Sequence, residues 1–116
     1  MPEDEGEFLH RIARQRLHLG PALEIGTYCG KSAIYLGAAA REVGGHVLTI
    51  DHHRGSEENQ AGWEHHDASL VDDELGLMDT LPVFRRTIAL AGLDEQVTAV
   101  IGRSTSVATW WQTPVS

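Results

Sequence analysis

The chain has 116 residues, enough for one modest domain, and 17 acidic against 9 basic side chains give it a formal net charge of −8. This acidic balance argues against nucleic-acid binding, and the single cysteine, Cys29, excludes an internal disulfide. The polar start MPEDEGEF and the lack of a long apolar stretch predict a cytoplasmic protein without a leader peptide and without membrane contact.

The hydrophobic pattern alternates between helical and strand periods. In chain order it predicts a helix over 7–18, a strand over 22–25, a glycine turn over 26–30, a helix over 33–43, a strand over 46–50, a long loop, a helix over 81–91, a strand over 97–101 and a last short helix. Thr80 is expected to cap the third helix, and Ser104, Thr105 or Ser106 the last. Such alternation is typical of parallel strands joined by right-handed helical crossovers. The predicted fold class is α/β.

The glycine turn after the first strand has an unusual spacing. It reads E-x-G-x-x-x-G-x-S, with Glu24 in the strand, Gly26 and Gly30 in the turn, and Ser32 at the start of the next helix. This spacing matches neither the phosphate loop nor the dinucleotide fingerprint. Lys31 is therefore interpreted as a solvated side chain. The glycines serve a tight strand-to-helix turn or let a ligand approach the backbone.

Polar residues also follow the other two strands. Asp51 ends the second strand, 21 residues beyond Gly30, where a carboxylate can accept both hydroxyls of a ribose or simply occupy a turn. Gly102-Arg103-Ser104 follows the third strand and offers short polar groups to an adenine edge. Because parallel sheets bind ligands at the carboxyl ends of their strands, the pattern favours a nucleoside cofactor.

Three stretches, LEIGTYCGKSAIYL, VLTID and AGLDEQVTAVIGRS, resemble the first half of class I S-adenosylmethionine-dependent methyltransferases. The most similar pattern is that of the small-molecule O-methyltransferases of the catechol type, and it covers Leu23 to Ser104 apart from the acidic loop. The resemblance implies a Rossmann-like methyltransferase half, with parallel strands in the order 3-2-1, flanking helices and later strands missing. Residues 1–116 would then be a single truncated S-adenosylmethionine-binding domain, and the complete enzyme would methylate a small-molecule hydroxyl.

The resemblance also implies which residues bind the cofactor. They are Glu24, Gly26, Tyr28, Gly30, Ser32, Asp51, His52 and Ser104. Glu24, Gly26 and Tyr28 would lie along the methionine part, with Ser32 and the helix start at Gly30 near its carboxylate. Asp51 would take the ribose hydroxyls, with His52 beside the adenine and Ser104 near its amino group. In metal-dependent members of the family the metal aspartates and the catalytic lysine follow a later strand, so this chain receives no catalytic residue and no metal ligand. Use of a divalent metal stays open.

The segment of about 52–79 is an acidic, histidine-rich insertion. Residues 51–79 hold nine of the seventeen carboxylates and four of the seven histidines. We interpret the insertion as an ordered loop, with one short helix at most, that acts as a lid on the substrate side, with Trp63 packed back on the body. His52-His53 and His65-His66-Asp67 match no zinc template, so metal binding is the lesser alternative. One of the histidines could instead serve as a general base.

Two other functions stay open from the sequence. An NAD-type enzyme is one, although its glycine spacing differs, and a non-catalytic binding or assembly module is the other. In the order 3-2-1 the first strand lies at a sheet edge, which predicts a homo-oligomer formed through that edge.

Overall fold

The computed structural model describes residues 3–55 and 70–116. Its helices are α1 (Glu3–Arg16), α2 (Lys31–Val43), α3 (Leu81–Leu90) and α4 (Ser104–Thr109), with a 3-10 turn at Leu17–Leu19. Its strands are β1 (Ala22–Ile25), β2 (Val47–Asp51) and β3 (Val97–Ile101). They form a parallel sheet in the order β1-β2-β3, which confirms the predicted α/β class and strand order.

The start of α1 differs from the prediction, because its first turn consists of polar residues. α1 begins at Glu3 and not at residue 7. The acidic residues of its first turn stabilise the helix by complementing its dipole, but they add nothing to the apolar pattern from which the helix was predicted. Thr80 is the N-cap residue of α3, as predicted, but its side chain makes no capping bond. The Thr80 hydroxyl instead contacts the ring of His53. The prediction for α4 is wrong, because its N-cap residue is Arg103 and not Ser104, Thr105 or Ser106.

The two faces of the sheet have different neighbours. Alternate strand residues, such as Val47 and Val97, join side chains of α1, α2 and α3 in one core. Its buried members are Ala13, Leu17, Ala33, Ala39, Ala40, Val47, Phe84, Ile88, Leu93 and Val97. Leu23, Ile25 and Ile50 point to the other face, where they line a cavity of about 240 Å³ under α4. The first three helices thus form one layer, and α4 lies on the opposite side.

Part of the predicted acidic loop is described. Val71 and Met78 form an antiparallel bridge, and the turn between them is held by Asp72, whose Oδ1 accepts the N–H groups of Glu74 and Leu75. Residues 71–78 are therefore a tight hairpin and not a helix. Trp63, His65, His66 and Asp67, on which the lid and metal interpretations partly rest, lie outside the described residues.

Across residues 3–55 and 70–116, every helix is too short or too polar to cross a lipid bilayer.

Candidate functional site

The glycine turn is bonded to β2 through three successive residues. The Gly26 N–H donates to the Ile50 carbonyl over 2.9 Å. The Thr27 hydroxyl contacts the hydroxyl of Thr49, and the Tyr28 N–H donates to Asp51 Oδ2 over 2.8 Å. These bonds hold the turn at the carboxyl ends of two neighbouring strands, where parallel sheets carry ligand sites.

Asp51 is the polar centre of this edge. Its Oδ2 accepts the Tyr28 N–H, and its Oδ1 accepts the His53 N–H over 3.0 Å. Burial raises the pKa of Asp51, but the two N–H donors and the nearby histidines outweigh it and leave the pKa below the ordinary 3.8. The carboxylate is therefore ionised near neutral pH. Since an ionised carboxylate offers about four acceptor positions, two stay open for a ligand.

Glu24 lies beside Asp51 on the same face of the sheet. Its Oε2 accepts the Ser32 hydroxyl, and its Oε1 accepts the Thr49 hydroxyl over 2.8 Å. The pairing of β1 with β2 places Glu24 directly opposite Thr49, so this contact follows from the strand register. Glu24 and Ser32, eight residues apart in the sequence, are thus brought together as acceptor and donor.

The two glycines of the turn have different surroundings. Both have positive φ, +88° at Gly26 and +97° at Gly30. A Cβ at Gly26 would meet nothing within 4 Å, so the backbone there is open to an approaching ligand. A Cβ at Gly30 would lie 2.9 Å from Cδ1 of Phe84. Packing against α3 is thus a sufficient reason for glycine at position 30.

A matched pair of substitutions tests this difference. Gly26→Ala is expected to lower the free energy of unfolding by about 1–2 kcal/mol, because alanine is strained at positive φ. Gly30→Ala should cost about 1–3 kcal/mol more, since its methyl group also meets Phe84. Urea denaturation of both variants measures the difference. Equal losses would mean that the Phe84 contact has no weight.

His53 connects the end of β2 to the start of α3. Its ring Nδ1 lies 2.7 Å from the Thr80 hydroxyl, and its carbonyl accepts the Thr80 N–H over 2.9 Å. The residue is only 2% exposed, and its ring stacks obliquely on the ring of Phe84 with 5.5 Å between the ring centroids. Its backbone has a positive φ of +60°. Its Nε2 has no hydrogen-bond partner among the described residues. His53 therefore belongs to the core and not to a solvated loop.

The buried imidazole predicts a pH-dependent stability. Burial lowers the pKa of His53 below its ordinary 6.5, although Asp51 and Asp79 act in the opposite direction. As the pH falls below 6.5, the unfolded chain binds a proton at His53 that the folded chain resists, so the free energy of unfolding should fall by up to about 1.4 kcal/mol per pH unit. Asp51, with its lowered pKa, contributes stability that is lost only below about pH 4.

Urea denaturation between pH 7.5 and 5 checks the histidine part. His53→Asn, which tolerates a positive φ, should show a smaller pH slope than the wild-type chain whatever its absolute stability. His18→Asn, at an exposed position, is the control and should keep the wild-type slope. An unchanged slope in His53→Asn would contradict the prediction.

A family model described as a methyltransferase domain matches residues 23–116, which is most of the chain. The chain belongs to this methyltransferase family.

Solved structures show the same fold. The chain is similar to TomG, an O-methyltransferase from Streptomyces achromogenes involved in tomaymycin synthesis and solved in complex with SAM. The match covers 100% of this chain and 40% of TomG, with TM-score 0.64 and 22% identity. It is similar to cofactor-bound Rv0187 from MTB, with TM-score 0.65 and 22% identity, over 98% of this chain and 40% of that one. It is also similar to SAH-bound PaMTH1 from Podospora anserina, with TM-score 0.64 and 15% identity, over 97% and 37%. The chain thus spans about 40% of the length of the first two structures.

Six of the eight residues predicted to bind a cofactor lie in β1, in the glycine turn, at the start of α2 or at the last residue of β2. They are Glu24, Gly26, Tyr28, Gly30, Ser32 and Asp51. His52 follows Asp51, and its Nδ1 accepts the Arg54 N–H over 3.0 Å. Ser104 lies apart, at the start of α4, where it lines the apolar cavity with Ile50. Their roles toward a cofactor stay predictions.

The sequence reasoning missed Thr27 and Thr49, and it did not predict that His53 is buried. Thr49 had one usable signal: like Glu24, it stands just before the last isoleucine of an apolar strand, so parallel pairing in register puts the two side by side. His53 had no such signal, because its partner Thr80 is 27 residues away. Over residues 3–55 and 70–116, no three histidine, cysteine, aspartate or glutamate side chains are grouped as metal ligands.

Proposed function

We propose that the chain is the cofactor-binding half of an S-adenosylmethionine-dependent methyltransferase that acts on a hydroxyl group of a small-molecule acceptor. The observation that carries the proposal is the Asp51 carboxylate, which lies at the carboxyl end of β2 and is hydrogen-bonded to the backbone of the glycine turn. In a family of methyltransferases, an ionised acceptor group at this place suits the two hydroxyls of a ribose.

The surrounding residues fit the rest of such a cofactor. The open backbone at Gly26 leaves room beside Glu24 for an amino-acid chain, and Tyr28 and Ser32 border the same space. Gly30 is the N-cap residue of α2, whose N-terminus favours a carboxylate. On the adenine side, His52 follows Asp51, and we assign Ser104 to the adenine edge.

The bound cofactor would supply a methyl group on a sulfonium, which the acceptor oxygen attacks in line as the sulfur–carbon bond breaks. The contribution of this chain is alignment, through a turn and a carboxylate held by backbone bonds. The base that takes the hydroxyl proton, and any divalent metal, are not assigned to residues of this chain.

Equilibrium dialysis with labelled ligands tests the proposal. The chain should retain S-adenosylhomocysteine at micromolar concentrations and should not retain NAD. Retention of NAD alone would support the dinucleotide alternative. Retention of neither would support a binding or assembly module and overturn the proposed function.

We also propose that the protein acts in the cytoplasm and forms a homo-oligomer through β1. In the described part of the chain, β1 pairs with β2 on one side only, and the side chain of Ile25 at its end is 64% exposed. Light scattering should give twice the monomer mass or more, and a monodisperse monomer would contradict this part of the proposal.

A further inference from the structure

We infer that Thr49 and Thr27 are positioning residues for the Glu24 carboxylate. Together with the hydroxyl of Ser32, their two hydroxyl groups fix the direction in which Glu24 meets the amino-acid part of the ligand. The inference rests on the proposed function, because it assigns a role at the same site. It names two buried residues that do not themselves touch the open side of the turn.

The hydrogen bonds of these three hydroxyl groups have defined donors and acceptors. An ionised carboxylate only accepts hydrogen bonds, so the Thr49 hydroxyl must donate its single proton to Glu24 Oε1, 2.8 Å away. The Thr49 oxygen is then free to accept, and the contacting Thr27 hydroxyl must be the donor. Ser32 donates to the second oxygen of Glu24. Both carboxylate oxygens are therefore held, from two different elements.

Burial makes this arrangement rigid. Thr49 is 0% exposed and Thr27 is 2% exposed, so water cannot replace either hydroxyl group. Thr49 is a polar residue between Leu48 and Ile50 of β2, where a valine would fill a similar volume without needing a partner. Thr27 lies inside the glycine turn, and its carbonyl accepts the Gly30 N–H over 3.1 Å. The hydrogen-bonded hydroxyls of Thr49 and Thr27 thus link the Glu24 carboxylate to the same turn that Asp51 holds.

The test is isothermal titration with S-adenosylhomocysteine of the wild-type chain, Thr49→Val and Thr49→Ser at pH 7.5. Thr49→Val should bind roughly 10-fold more weakly, because one charge-assisted bond is lost. Thr49→Ser, which keeps the hydroxyl, should restore the affinity to within about 3-fold.

The outcomes separate the inference from the function. If the wild-type chain binds and Thr49→Val binds equally well, the positioning role is wrong and the proposed function stands. If the wild-type chain does not bind, both fail. A weaker Thr49→Val that Thr49→Ser does not rescue would indicate a packing defect and would also overturn the inference. Should Thr49→Val not fold, as judged by circular dichroism, Thr49→Ala replaces it with the same expected results.

Discussion

Asp51→Ala is expected to weaken the binding of S-adenosylhomocysteine by roughly 30- to 150-fold, or about 2–3 kcal/mol. The proposed function makes the Asp51 carboxylate, at the end of β2, the charged acceptor for two ribose hydroxyls, and this substitution removes it. Asp51→Asn should recover part of the affinity, because an amide keeps one acceptor oxygen but turns its NH₂ toward one of the two backbone donors. Isothermal titration calorimetry measures all three affinities.

The same carboxylate also holds the Tyr28 and His53 N–H groups, so Asp51→Ala should lower the free energy of unfolding by about 1–3 kcal/mol. A 2′-deoxy analogue of the ligand separates this effect from ribose binding. The wild-type chain should prefer the normal ligand to the deoxy analogue, and Asp51→Ala should not. Glu95→Ala, which removes the same charge at an exposed position, is the control and should bind like the wild type. Equal affinity of the wild-type chain and Asp51→Ala would exclude the ribose assignment.

Phe84→Ala is expected to cause the largest loss of stability, about 3–5 kcal/mol, because it empties a position that is 3% exposed in the core. The ring stacks on His53 and fills the space beside Gly30, so its removal loosens the junction of α3 with the glycine turn. The midpoint of thermal unfolding should fall by roughly 10–25 °C.

Leu90→Ala, in the same helix, is the matched control. Its side chain is 77% exposed, and its removal should change the free energy of unfolding by less than about 0.5 kcal/mol. Phe84→Leu should lose less than Phe84→Ala, because most of the apolar volume is retained. Similar melting temperatures for Phe84→Ala and Leu90→Ala would show that Phe84 has no special place in the core.

The strands of the sheet could be predicted well because each is indicated by a short local pattern of apolar residues. Ala22–Ile25 and Val97–Ile101 are apolar runs bounded by glycine or by polar turn residues, and both were predicted to the residue. The start of α1 was missed, since the acidic residues Glu3 to Glu5 stabilise a helix end without adding to an apolar face.

Long-range side-chain contacts were beyond such reasoning. Thr80 stands where a helix cap is expected, yet its hydroxyl contacts a histidine from the far side of the acidic loop. His53 was grouped with polar neighbours by composition, and only the packing of α3 shows that it is buried. For the proposed ligand site, the pattern of glycines and acids placed Glu24, the glycine turn and Asp51 at one edge of the sheet, but it did not indicate the threonines that contact Glu24 and each other.

The placement of α2 and α3, the two helices that connect strands, on one face of the sheet has a topological consequence. The strands β1, β2 and β3 are added in one direction, and right-handed crossovers taken in one direction keep all connections on one side. Any strand added beyond the free edge of β1 requires a crossover in the reverse direction. The same right-handedness then places the connecting helix on the opposite face of the sheet, where α4 lies. β1 would become the point where the strand order reverses, and the crevice beside its carboxyl end, where Gly26 lies, would open between two oppositely wound halves.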